Sequence, residues 1–269
     1  MNSSAAPSAR RCPACGHAAG RNLFALPVTF NGVLSVPEYR LSRCARCDTL
    51  YVDPNPPMRD LAVIYGTTQF ASEEYTNPET ISAIIRYLGG ALSAMVNARG
   101  WSGDFSVIEI GAGRAWMCLA ARLAYPVSRT VAQDVTAECS ETAPWADDYR
   151  VVGLENAERQ EDEKFELISL THVIEHLGNP LDMLRRLAKQ LKPGGIIFLT
   201  APYRPVGFDA QRPDRTLWEQ WSYNHVPAHI QYFSRAGLDA LARRCGLNLE
   251  RWDDRHDGGQ AFEAWLTPA

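Results

Sequence analysis

The apolar positions fall into two periods along the chain, and the alternation between them outlines the fold. Short β-branched runs stand at Val107, Ile108 and Ile110 and across residues 128–134, 149–153, 164–170 and 196–200. Short runs of this kind, rich in β-branched residues, suit the strands of a parallel sheet covered on both faces. Between them the spacing becomes helical. Ile81, Ile84, Ile85, Leu88, Leu92, Met95 and Val96 follow Asn77-Pro78, an N-cap with proline in first helical position. Leu181, Leu184, Leu187 and Leu191 follow Asn179-Pro180, and that helix is expected to stop at Lys192-Pro-Gly-Gly195. Further helices are predicted over Met58 to Tyr65, over Ala115 to Leu123, and after a Ser234 cap through Leu238, Leu241, Ala242 and Cys245 to Gly246. Strands over 247–252 and 261–266 are expected to pair antiparallel. Strand and helix in alternation predict an α/β fold with a doubly wound, mostly parallel seven-stranded sheet.

The first fifty residues follow a different pattern. Residues 1–10 are small and polar and read as a disordered tail. Cys12-Pro-Ala-Cys15 and Cys44-Ala-Arg-Cys47 follow, separated by residues 16–43, with strand character at 28–30 and 39–41 around Asn31-Gly32. Two such knuckles let four thiolates converge on one zinc ion, and the spacing predicts a structural zinc ribbon over 11–53. A redox CxxC belongs at a helix N-terminus and is the weaker reading. Residues 54–100 are expected to form a proline-rich linker, beginning in Tyr51-Val-Asp-Pro-Asn-Pro-Pro57, and a helical lid in which Tyr65, Phe70 and Tyr75 cover a pocket. Residues 101–269 form the main domain.

The chemistry concentrates in the segment Val107-Ile-Glu-Ile-Gly-Ala-Gly113, a strand running through an acid into a glycine turn. A dinucleotide fingerprint needs a third glycine where Trp116 stands, and Glu109 would repel a pyrophosphate. A P-loop needs a Gly-Lys-Ser/Thr ending, which is absent. S-adenosylmethionine carries an ammonium group and no phosphate, so an acid beside the turn favours it. Asp134 ends the next strand, where a carboxylate can accept both ribose hydroxyls of an adenosine.

These motifs, with Phe165-Glu-Leu-Ile-Ser-Leu-Thr-His-Val-Ile-Glu-His176 and Leu191-Lys-Pro-Gly-Gly195, resemble class I S-adenosylmethionine-dependent methyltransferases over residues 80–250. The resemblance implies the Rossmann-like methyltransferase fold, with Glu109 near the methionine moiety and Gly111, Ala112 and Gly113 under the cofactor. It further implies Asp134 on the ribose, Val135 against adenine, and Leu170 and Thr171 at the methionine end. Ala115 stands where the family usually has a third glycine. The N-terminal part, two CxxC knuckles followed by Leu50-Tyr-Val-Asp-Pro-Asn-Pro-Pro57 and then Tyr65, resembles the bacterial subset with a zinc ribbon, which includes sugar C-methyltransferases and other natural-product enzymes. In the sugar enzymes a Glu-His-Leu-x-Tyr-Phe-Ser segment supplies a catalytic histidine. Here the run is Ala228-His229-Ile-Gln-Tyr-Phe-Ser234, so the glutamate is missing, and no extra C-terminal domain of those enzymes is expected.

Residues 201–230 read as a long loop rich in aromatics, arginine and histidine, and loops of that length commonly carry function. His229 is the first candidate for a general base toward a small-molecule acceptor, a sugar or another biosynthetic intermediate, and His225 the second. His172 and His176 fit H-x-x-E-H, but the protease signature belongs on one helix and here follows a strand. The chain carries 27 Lys and Arg against 31 Asp and Glu, a net charge of −4. That balance leaves no overall footprint for nucleic acid or anionic membrane. The arginines near the ribbon, Arg10, Arg11, Arg21, Arg40, Arg43 and Arg46, keep an RNA methyltransferase as the alternative; a non-catalytic cofactor-binding protein is the third. With no signal-like N-terminus and no unbroken apolar run long enough for a bilayer, a cytoplasmic protein with reduced cysteines is expected.

Overall fold

The structure, a computed structural model, describes residues 10–26, 34–67, 77–102, 104–152 and 163–269. The expected strand at 28–30, the Asn31-Gly32 turn, Phe70, Tyr75 and the Tyr65 side chain lie outside the described residues, as do residues 1–9 of the tail. Among the described residues the strands are β1 (Gly20–Leu26), β2 (Tyr39–Cys44), β3 (Leu50–Asp53), β4 (Ser106–Ile110), β5 (Arg129–Asp134), β6 (Asp148–Val151), β7 (Phe165–Thr171), β8 (Leu191–Pro202), β9 (Gln231–Tyr232), β10 (Leu247–His256) and β11 (Ala261–Pro268). The helices are α1 (Met58–Thr67), α2 (Pro78–Arg99), α3 (Trp116–Ala124), α4 (Pro180–Lys189), α5 (Arg215–Glu219) and α6 (Arg235–Arg243). A seven-stranded sheet runs in the order β10-β11-β8-β7-β4-β5-β6, and a four-stranded one in the order β1-β2-β3-β9.

The chain forms two compact units, one of residues 1–68, 174–184 and 200–264, the other of 69–173, 185–199 and 265–269. In the second unit β4 pairs in parallel with β5 on one side and β7 on the other, with Ile110 level with Gln133 and Leu170. This register brings the carboxyl ends of all three strands to one edge, where ligands bind in open α/β sheets. The helix α2 starts where the sequence predicts: Asn77 accepts from the amides of Glu79 and Thr80, and Gly100 closes the far end in the left-handed conformation. Leu88, Leu92, Met95 and Val96 form one buried stripe, in a core cluster with Phe105, Val107, Met117, Leu167 and Phe198. Each such side chain contributes about 1.5–3 kcal/mol when taken out of water. By length and composition alone α2 is also long and apolar enough to cross a membrane. The run is not unbroken, since Ser82, Arg86, Gly89 and Ser93 interrupt it, and its Leu88, Leu92, Met95 and Val96 are buried in the core.

In the first unit β1, β2 and β3 form an antiparallel ribbon that takes a fourth strand from far along the chain, with Leu50 opposite Tyr232 and Tyr51 opposite Gln231. The first residues of the expected linker are thus strand. The long loop is likewise less irregular than its composition implies. Trp218 of α5 is fully buried among Phe208, Trp221 and Tyr232, and shares a cluster with Tyr39, Leu41 and Val52 of the ribbon strands.

Candidate functional site

The glycine turn is held from several directions within the second unit. The Ala112 amide bonds the Gln133 carbonyl at 3.0 Å, continuing the ladder past the end of β4. Asp134 Oδ2 accepts from the Gly113 amide at 2.8 Å and its Oδ1 from the Thr136 amide at 3.1 Å, so the strand-end acid and the turn are fixed to each other. Gly111 (φ 61°) and Gly113 (φ 48°) adopt left-handed backbone, and a Cβ on Gly111 would stand 2.5 Å from a methyl of Val173. Ala115, the residue in place of a third glycine, takes φ 56° at the start of α3.

Two residues that carry no sequence signal complete this frame. The Trp145 indole donates to the carbonyls of Arg114 and Ala115 at 3.0 and 2.8 Å and stacks on Trp116. The Tyr149 hydroxyl donates to the Gly113 carbonyl at 2.8 Å. Glu109 is deeply buried, and its carboxylate accepts from the amides of Met117 and Cys118 in the first turn of α3, at 3.0 and 3.2 Å. Burial raises its pKa to about 7, against the pull of those two amides. The acid beside the turn therefore faces the helix start. Val135, Thr171 and His172 are half-buried and Leu170 is buried, and His172 sits one residue beyond β7 with φ 54°.

In the first unit the four cysteines come together as expected. Cys12 Sγ lies 3.5 Å from Cys47 Sγ, and Cys15 Sγ 3.5 Å from Cys44 Sγ. These separations exceed a disulfide and are close to the ~3.8 Å between thiolates arranged tetrahedrally around an ion at about 2.3 Å. The two knuckles repeat one geometry. Gly16 and Asp48, each following the second cysteine of its pair, are left-handed (φ 74° and 63°), and each returns its amide to the carbonyl of the first cysteine at 3.0 and 3.1 Å. All four sulfurs lie within 4.8 Å of one another, so the donor set fits a zinc ion.

The loop histidines lie in the same unit but in different settings. His229 is buried, and its Nδ1 donates to the Tyr223 carbonyl at 2.8 Å, which leaves the lone pair on Nε2. Burial, reinforced by the neighbouring His176 ring, lowers its pKa to about 3, so the ring is neutral at physiological pH. His225 is exposed, with its ring 5.0 Å from that of His229. His176 Nδ1 pairs with the Ala228 carbonyl at 3.1 Å, its ring centroid 4.6 Å from that of His229. Glu175 is fully buried in the short turn Ile174–His176, and Gln231 clamps that turn by donating to the Ile174 and Leu177 carbonyls at 2.8 and 2.7 Å. The H-x-x-E-H residues thus do not share a helix, and His176 and Glu175 meet His229 instead.

Residues 76–251 match the family described as "Methyltransferase domain". The ubiquinone biosynthesis O-methyltransferase of Xanthomonas oryzae pv. oryzae (strain PXO99A) is 34% identical over 123 residues, 45% of this chain and 49% of that protein. The enzyme of the same name from Hydrogenovibrio crunogenus is 26% identical over 109 residues, 38% of this chain and 43% of that one. The chain thus spans no more than about half the length of these curated relatives. Among solved structures, an S-adenosylmethionine-dependent methyltransferase from Clostridium acetobutylicum superposes with a TM-score of 0.52 at 8% identity, covering 77% of this chain and 95% of that one. A chain from the complex of the Haloferax volcanii Trm112 methyltransferase activator with a methyltransferase superposes at 0.51 and 14% identity, covering 69% and 98%. At such identities the superpositions speak for the fold. The glycine turn, its strand-end acid, the mostly parallel seven-stranded sheet and the matched segment agree, and the chain belongs to the S-adenosylmethionine-dependent methyltransferases of class I.

Proposed function

We propose that the chain transfers the methyl group of S-adenosylmethionine to a hydroxyl of a small-molecule acceptor. The observation that carries this is the turn Gly111-Ala112-Gly113 bonded to Asp134 at the carboxyl ends of three parallel strands. Gly111, Ala112 and Gly113 offer backbone to the cofactor, and Asp134, whose oxygens each keep a free lone-pair direction, takes the ribose hydroxyls. Val135 lies against adenine, and Leu170 and Thr171 line the methionine end. Glu109 acts through the helix start that it holds. The cofactor supplies an electrophilic methyl on a sulfonium, and the protein's task is to align it with the acceptor oxygen.

The choice of oxygen rests on the curated relatives, which are named O-methyltransferases. A loop histidine accepts the acceptor's proton. His225, exposed, is assigned this role ahead of the buried His229, whose neutral ring is a weak base. Cys12, Cys15, Cys44 and Cys47 hold a structural zinc ion. An RNA acceptor has less support: Arg10 donates to the Val52 and Ile230 carbonyls and Arg11 to the Gly16 carbonyl, Arg40 pairs with Glu38 and Arg43 with Asp48, so four of the six local arginines have partners within the chain.

Calorimetry with S-adenosylmethionine tests the reading. Wild type binds one equivalent, and Asp134→Ala weakens it about 10- to 100-fold, the loss of hydrogen bonds to a charged group. No binding by wild type rejects the proposal. His225→Ala lowers kcat about 10²-fold with little change in cofactor affinity.

A further inference from the structure

We propose a second metal site in the first unit, formed by Glu175, His176 and His229, for a divalent first-row transition ion. One donor atom from each of the three side chains lies within 4.8 Å of the others. Two imidazoles and one carboxylate form a set suited to manganese, iron, cobalt or zinc, distinct from the soft thiolate set of the knuckles.

The hydrogen bonding favours ligation over a merely packed cluster. A metal-binding imidazole usually donates its other nitrogen to a carbonyl or carboxylate, which fixes the tautomer and aims the lone pair. Both histidines have this arrangement: His229 Nδ1 on the Tyr223 carbonyl at 2.8 Å and His176 Nδ1 on the Ala228 carbonyl at 3.1 Å. Each ring therefore presents Nε2, and His176 Nε2 is 4.0 Å from Glu175 Oε1. The ligands sit on braced backbone, because Gln231 bonds both ends of the turn that carries Glu175 and His176, and the Ile230 amide bonds the Glu175 carbonyl at 2.9 Å. Donors about 2.1 Å from one ion stand about 3–4 Å apart. A small closure of the three side chains completes the site.

Three protein ligands leave coordination positions open, so the ion can take water or an oxygen of an acceptor and acidify it. That use rests on the methyl-transfer reading above, whereas the site itself does not. Protein carrying zinc on its thiolates is titrated with manganese(II) chloride, bound ion being read by electron paramagnetic resonance and calorimetry, with zinc as a second probe. One additional ion per chain is expected. Glu175→Gln, His176→Gln and His229→Gln each weaken it at least tenfold, whereas His225→Ala leaves it unchanged. Circular dichroism and S-adenosylmethionine affinity of the same variants establish that they are folded. Saturation without any ion beyond the thiolate zinc overturns the proposal, as does binding that survives the triple variant. Loss of S-adenosylmethionine binding with the extra ion retained overturns methyl transfer and leaves the site standing.

Discussion

Glu109 is a carboxylic acid buried at the end of a parallel strand, and its neighbours are two amides of a helix start. The folded chain holds its proton more tightly than the unfolded one, raising the pKa from an ordinary 4.5 to about 7. Its contribution to stability is therefore fully present below about pH 4.5 and is lost as the pH rises through about 7. At 1.36 kcal/mol per pH unit the change is about 3 kcal/mol. Glu109→Gln keeps an acceptor oxygen for the amides and has nothing to titrate. Urea unfolding at pH 5 and pH 8 should show wild type losing stability between them and the variant nearly flat. Gly111→Ala attacks the same turn by another route. The left-handed backbone costs about 1–2 kcal/mol with a side chain, and crowding against Val173 about 1–3 more. Adding Val173→Ala should restore the crowding part and not the backbone part, and a double-mutant cycle on S-adenosylmethionine affinity separates them. The spacing of Glu109, Gly111, Gly113 and Asp134 is legible in the chain because a strand-turn-helix sets it. The direction of Glu109 is not, since a carboxylate before a turn can face ligand or helix with the same sequence. Trp145 and Tyr149 leave no trace in the pattern because their hydrogen bonds to the turn go to backbone carbonyls, which any residue supplies.

At the scale of elements, caps and periods read well where an element is long and its packing is its own. Asn77-Pro78 and Ser234 start α2 and α6 as expected, with Ser234 Oγ accepting from the Gly237 amide at 2.9 Å. The Lys192-Pro-Gly-Gly195 pattern predicts the end of a helix. The helix closes at Lys189 and the strand already runs from Leu191, so Lys192-Pro-Gly-Gly195 lies within the strand; a Cβ on Gly195 there would stand 2.9 Å from both the Glu166 and Lys192 carbonyls, an approach only glycine permits. The two-residue strand β9 carries no period at all; its partner β3 makes it a strand. Helix α6 likewise depends on a distant neighbour. Ser234 donates to the Cys47 carbonyl, Arg244 to the Ala14 carbonyl at 2.6 Å, and a Cβ on Gly237 would overlap the Thr49 hydroxyl. Gly237→Ala is accordingly expected to destabilise the chain by about 1–3 kcal/mol despite the better helix propensity of alanine. Thr49→Ala should recover most of that loss in thermal unfolding. Equal stability of Gly237→Ala and wild type would show that α6 does not rest on the second knuckle.

For the molecule as a whole, the knuckles act on sequence far from themselves. The sheet of β1, β2 and β3 ends in β9, which begins two residues after His229, and Arg10 beside the first knuckle bonds the carbonyls of Val52 and Ile230. A zinc ion on Cys12, Cys15, Cys44 and Cys47 would thus stabilise the segment that presents the histidines as well as the ribbon, since folding and metal binding share one free energy. Composition and motif spacing pointed to a ribbon and to a methyltransferase sheet but not to this sharing of one compact unit, because pairing across 180 residues leaves no mark on local pattern. Chelation of the thiolate-bound zinc should therefore raise amide hydrogen exchange first across β1–β3, then across residues 225–234 and α6. Amides of β4, β5 and β7, in the other unit, should keep their protection at the same chelator concentration. Cys44→Ser should reproduce the pattern without chelator. If exchange rises uniformly across the chain, the zinc supports global stability alone; if it rises only within 11–53, the strand β9 is held by its own side chains, Tyr232 above all, and the histidine segment is independent of the metal.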